Sequence, residues 1–196
     1  MKRLGLMSFY LVLGFLSFFF SLAGASANAP ISQIEGFDLI SGKNFKFALS
    51  ELSSSQKGIV LVFLSAVCPC SDSHISEMKR LAEKFGEFKF IAVHSNQNEK
   101  KEIAKAYFNK AALPFPVLSD HGAKIADSYR ANKTPHAYVI DGQGKIVYQG
   151  GVTSSAVADQ ADQFYLEEAL LDIRRGAAVK IPFGRTLGCV ISRSKE

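Results

Sequence analysis

Gly58 to Leu64, "GIVLVFL", is an unbroken apolar run containing the β-branched residues Ile59, Val60 and Val62. It is too short to be a spanning helix, and it has no polar alternation that would leave one face in water. A run of this kind reads as a strand buried on both faces, in the middle of a parallel sheet. Such a strand needs apolar cover on both sides, so the rest of the chain has to supply it.

The flanking segments fit that demand. Ile75, Met78, Leu81, Ala82 and Phe85 recur at helical spacing and stop at Gly86. "FKFIAVHS" is a second apolar strand. "EKKEIAKAYFNKA" reads as a helix with Ile103, Ala106 and Tyr107 on one face. Val117 and Leu118 form a short strand, and Ala123, Ala126 and Tyr129 fit a short helix. "HAYVIDGQGKIVYQGG" is a hairpin turning at Asp141 to Gly144. Leu166, Ala169, Leu170 and Ile173 mark a last helix, closed by Gly176, and a tail follows. Upstream, two short strands flank a turn at Ser41-Gly42-Lys43. The order predicts an α/β fold: a central mixed sheet with helices on both faces, an N-terminal β-hairpin and a C-terminal tail.

The N-terminus bears on the compartment. Lys2 and Arg3 precede an apolar stretch from Leu4 to Leu22, followed by Ala25-Ser26-Ala27. This is the pattern of a cleaved secretory signal over residues 1–27, leaving residues 28–196 as one domain that is periplasmic or secreted. Contact with a membrane is expected only if the signal is not removed. Loss of Lys2 and Arg3 lowers the formal charge of +5 by two. With no basic block, the mild surplus gives no reason to expect nucleic-acid binding. Three cysteines, Cys68, Cys70 and Cys189, would then sit where disulfides persist, and an odd number leaves at least one thiol free, metal-bound or paired elsewhere.

Two of them fall in "SAVCPCSDSH", just after the central strand and just before a helix. Pro69 suits the first helical position, which needs no N–H bond. Cys68 would then cap the helix, its sulfur facing unpaired N–H groups that favour the nucleophilic thiolate. Cys70 is two residues on, so a Cys68–Cys70 bridge would demand local distortion. Cys70 and His74 are four apart on one helical face, a spacing that a soft metal such as copper could use.

"FLSAVCPCS" at the end of the first central strand, "KTPHAYVID" at the start of the hairpin, "GKIVYQGG" at its end and a late Gly188-Cys189-Val190-Ile191 occur in an order that resembles the thioredoxin-like superfamily. Within it the chain is most similar to the redoxin group of alkyl hydroperoxide reductases and thiol-specific antioxidants. The resemblance implies a cis bond between Thr134 and Pro135, opposite Cys68, with the Thr134 backbone binding an extended substrate and His136 close behind. The tail carries Val179, Ile181, Phe183 and Leu187, enough apolar residues to dock, and a docked tail would let Cys189 resolve Cys68 or partner Cys70. A bridge across that separation is expected to add about 4 to 5 kcal/mol of stability. In the peroxiredoxin pattern P-x-x-x-T-x-x-C, the proline position is Leu61 and the threonine position is Ser65. The activating arginine has no counterpart nearer than Arg130.

The expected function is thiol–disulfide exchange, with Cys68 attacking, Cys70 or Cys189 resolving, and Thr134 and Pro135 orienting the substrate. The expected partners are protein thiols or disulfides, or a thioredoxin-type reductant, and no cofactor is required. The alternatives are a slow thiol peroxidase using Cys68, and a Cu(I)-binding protein using Cys68 and Cys70 with His74 or His136.

Overall fold

Residues 31–193 are described by a computed structural model; the signal segment and the domain boundary at residue 28 lie outside the described residues. The run that opened the sequence reading forms β3 (Gly58–Phe63), every residue of which is buried. It pairs in parallel with β4 (Phe88–His94), which pairs in parallel with β5 (Val117–Ser119). On its other side β3 is antiparallel to β7 (His136–Asp141), and β7 continues into β8 (Ile146–Gly150). The N-terminal hairpin, β1 (Gln33–Asp38) and β2 (Asn44–Ala48), adds to the far edge through an antiparallel β1–β5 contact. The order is β2-β1-β5-β4-β3-β7-β8, a seven-stranded mixed sheet with the thioredoxin-like arrangement expected.

The two faces of β3 feed separate cores, because successive side chains point in opposite directions. Val60 and Val62, with Leu64 just beyond the strand, pack with α2 (Ile75–Lys84), α3 (Lys101–Ala111) and α5 (Tyr165–Arg174). Ile59, Leu61 and Phe63 pack with α4 (Lys124–Tyr129) and with Ile191 of the tail. Each such side chain contributes roughly 1.5–3 kcal/mol by leaving water. One helix face differs from expectation. In α3 the buried residues are Ala104 and Phe108, whereas Ile103 is 50% exposed. The inward stripe is set by the large Phe108 ring, and Ile103 falls one position outside it.

The short α1 (Pro69–Ser73) precedes α2, with His74 joining the two at φ −96° and ψ 0°. Past α5 the tail does not trail away. The buried Asp172 carboxylate accepts the Lys180 N–H at 3.0 Å. Gln149 of β8 donates its N–H to Pro182 O at 2.9 Å and accepts the Gly184 N–H at 3.0 Å. The chain then forms β9 (Cys189–Val190), antiparallel to β6 (Lys133–Thr134), with Cys189 opposite Thr134 and Val190 opposite Lys133. This second, two-stranded sheet had no signature in the hydrophobic pattern. Among the described residues no helix is long and apolar enough to cross a membrane.

Candidate active site

The loop after β3 is built by a buried carboxylate that the sequence reading missed. The Glu99 side chain is only 2% exposed. It accepts hydrogen bonds from Ser65 Oγ at 2.5 Å and from the Ala66 N–H at 2.8 Å. His94 Nε2 lies 3.0 Å from it, and Asn96 Nδ2 also donates to it. Burial alone would raise its pKa, but the bonds from His94, Ser65, Asn96 and Ala66 outweigh that and hold it down at about 2. Ser65 Oγ in turn accepts the Cys68 N–H at 3.0 Å. Glu99 therefore fixes the loop that presents Cys68, acting through Ser65. Its only trace in the sequence is an acidic residue among the polar ones after β4, which reads as ordinary solvent-facing charge.

Cys68 is the N-cap of α1 and Pro69 is its first residue, as expected. The sulfur, however, makes no capping bond to the helix. It is bonded instead to Cys189, across a separation of 121 residues with Cα atoms 6.0 Å apart. Its Sγ also lies 3.3 Å from Thr134 O. A reduced Cys68 could donate its S–H there. Cys68 is 2% exposed, while Cys70 is partly exposed and free. The pairing of Cys189, open on sequence grounds, is with Cys68.

The Thr134–Pro135 bond is cis, as the resemblance implied. The Thr134 backbone edge is occupied, since it pairs with Cys189. The approach is close enough to dictate a glycine in the tail. A Cβ on Gly188, whose φ is +153°, would collide with Thr134 O and meet Pro135 Cδ at 3.3 Å. The fully buried Thr134 Oγ1 is the one buried side-chain oxygen or nitrogen without a hydrogen-bond partner among the described residues.

The two histidines do not stand where a metal set with Cys70 would need them. His74 is 1% exposed, not solvent-facing. Its Nδ1 lies 2.7 Å from Cys70 O and its Nε2 lies 2.9 Å from Thr153 Oγ1. The four-residue spacing brings the ring onto the Cys70 carbonyl rather than its sulfur, so both ring nitrogens are committed to tying α1 to the segment after β8. Burial lowers its pKa, against the Cys70 carbonyl and Glu77. His136 is buried against Tyr138, and burial lowers its pKa to about 4. Among the described residues, the potential ligand atoms that do gather are the sulfurs of Cys68, Cys70 and Cys189, all within 4.8 Å of one another. Arg130, the nearest counterpart of the peroxiredoxin arginine, is exposed at the end of α4.

Several known proteins resemble this chain. The chain is 28% identical over 105 residues to the thiol-disulfide oxidoreductase ResA of Halalkalibacterium halodurans, covering 53% of this chain and 60% of that one. The ResA of Bacillus subtilis is 26% identical over 153 residues, covering 75% and 82%. The first of these matches spans about three fifths of the relative's length. A solved structure, an uncharacterized conserved protein from Geobacillus kaustophilus, shares the fold at a TM-score of 0.73 and 23% identity, covering 86% of this chain and 93% of that one. The AhpC/TSA family model matches residues 31–149, from just before β1 into β8, and the chain belongs to the AhpC/TSA family.

Proposed function

We propose that this chain is an exported thiol–disulfide oxidoreductase in which Cys68 is the nucleophile and Cys189 the resolving thiol. The observation that carries the reading is the Cys68–Cys189 bridge lying against the Thr134 backbone. The name of the ResA relatives supports the same chemistry, and the signal-like N-terminus supports export.

In the reductive direction the Cys68 thiolate attacks one sulfur of a substrate disulfide. An S–S bond forms between Cys68 and substrate, and the other substrate sulfur leaves as thiolate and takes up a proton. Cys189, deprotonated, then attacks the Cys68 sulfur, releases the second substrate thiol and leaves the Cys68–Cys189 bridge. A thioredoxin-type dithiol resets it by the same exchange. Thr134 and Pro135 line the approach to Cys68, whose sulfur lies 3.3 Å from Thr134 O. Because β9 holds the Thr134 edge, an extended protein substrate must displace that strand before it can pair there.

The occupied edge also favours a second reading, peroxide reduction, since a hydroperoxide needs to reach only the sulfur. Cys68 thiolate would take the distal oxygen to give a sulfenic acid, releasing an alcohol. Cys189 would then condense with the sulfenic acid, losing water and giving the same bridge. With Arg130 exposed at the end of α4, the developing charge lacks the cation that the peroxiredoxin pattern supplies, so this reaction would be slow.

The test is turnover of a model protein disulfide by cysteine variants. Cys68→Ser abolishes exchange, and Cys189→Ser accumulates a mixed disulfide on Cys68. Full exchange by Cys68→Ser would overturn the proposal. Faster turnover of hydroperoxide than of disulfide by the unmodified protein would favour the second reading.

A further inference from the structure

Exchange through Cys68 and Cys189 leaves Cys70 without a task, yet its sulfur lies within 4.8 Å of both the others. We propose that the reduced protein holds one Cu(I) ion on three thiolates, those of Cys68, Cys70 and Cys189.

Three sulfurs about 2.3 Å from a shared ion in a trigonal plane stand about 4 Å apart, a spacing that the cluster already admits. Little has to move except the bonded pair, which separates when the bridge is reduced. The tail does not depend on that bridge for its place. On the near side, Gly184 and Pro182 are paired to Gln149. On the far side, Ile191 is 2% exposed and donates its N–H to Asn132 O at 3.0 Å. Beyond it, the Ser192 N–H reaches Asn96 Oδ1 at 3.2 Å, and Arg193 reaches Asp127 at 2.7 Å and Ala131 O at 2.8 Å. Anchors on both sides keep Cys189 opposite Thr134 after reduction, so the three thiols are preorganised.

The donor set selects the ion. It is all sulfur, with no histidine or carboxylate in the cluster among the described residues. Soft thiolates favour Cu(I), and three of them satisfy a trigonal ion while leaving tetrahedral zinc one ligand short. Binding replaces thiol protons with the cation, which also offsets the repulsion that three crowded thiolates would otherwise feel. The disulfide form has lost two of the three ligands, so only the reduced form binds. This differs from the copper set expected from sequence: Cys189 takes the place of His74 and His136.

The test is anaerobic titration of the reduced full-length protein with Cu(I) against a chromophoric Cu(I) chelator, followed by X-ray absorption of the loaded protein. The proposal expects one equivalent bound, three sulfur scatterers without a histidine signature, and no competition from the disulfide form. Cys70→Ser and Cys189→Ser should each weaken binding at least tenfold. Cys70→Ser leaves the tail anchors untouched, so it decides the matter even if Cys189→Ser disturbs the tail. Absence of binding by the reduced protein, wild-type affinity in Cys70→Ser, or a histidine signature would overturn the proposal. Binding is read without turnover, so its failure would leave the exchange reading standing.

Discussion

The segment from β3 to α2 and the tail from residue 177 to 193 meet at one disulfide, but they are held in place by different forces. The first is a slab of apolar burial, with every residue of β3 inside and Met78, Leu81 and Phe85 packed over it. The second buries one large apolar side chain, Ile191, while Phe183 and Val190 are 72% and 70% exposed. It is fastened by edge pairing to β8 and β6, by Arg193, and by the bridge. Burial supplies stability and edge pairing supplies position. The site needs both, since Cys68 is presented by the slab and its partner sulfur by the strand laid against Thr134.

Four perturbations should separate the two kinds of holding. Reducing the bridge with Cys70 alkylated should have the largest effect. A closed loop spanning 121 residues constrains the unfolded chain by up to about 5 kcal/mol, which guanidinium titration with and without reductant would read. The Ile191 amide should nevertheless stay protected from hydrogen exchange, because its bond to Asn132 O does not involve the bridge. Exchange of that amide at the rate of an unstructured chain would show that the bridge alone docks the tail.

Phe63→Ala should cost about 3–5 kcal/mol, by the same amount in the oxidised and reduced protein, because the cavity opens in the second core. A loss confined to one redox state would show that the second core and the bridge are coupled. Acidification comes next. His136 takes up its proton near pH 4 when folded and near 6.5 in its ordinary state, so between those values the unfolded chain binds a proton that the folded chain refuses. Stability is complete above pH 6.5 and falls as the pH drops toward 4, by on the order of 3 kcal/mol. His74 shifts in the same direction, and Glu99, held near 2, adds to the loss below about 4.5. Chemical denaturation across this window would check the sign, and flat stability from pH 7 to 4 would contradict the burial of both histidines.

Gly188→Ala should have the smallest effect on stability, about 1–3 kcal/mol, because its φ of +153° and the Thr134 carbonyl leave no place for a Cβ. Its sharper readout is slower formation of the Cys68–Cys189 bridge after reduction. Unchanged reoxidation would mean that the tail can reach Cys68 without its register on Thr134.

The same contrast explains what the sequence made legible. Apolar periodicity reports burial, so β3, α2, β4, the β7–β8 hairpin and α5 could be read directly from it. Ile103 shows its limit, since hydrophobicity alone misplaced the inward stripe of α3 by one residue. Edge pairing uses backbone groups that any residue carries, so β6 and β9 leave no pattern; the apolar content of the tail and the family resemblance both point to docking, but the side chain that docks is Ile191, while Phe183 stays 72% exposed. The join of the N-terminal hairpin to β5 was hidden for the same reason. Glu99 leaves no signal, and His74 reads as a metal partner of Cys70 rather than a buried tie, because a buried, fully bonded polar side chain looks in sequence like an exposed one.

The account stands on the tail completing the active site, and a disulfide map tests that most directly. Oxidised protein is alkylated without reduction, digested, and searched by mass spectrometry for linked peptides. The account predicts a peptide pair joining Cys68 to Cys189, with Cys70 carrying the alkyl group. A Cys68–Cys70 bridge with Cys189 alkylated would contradict it.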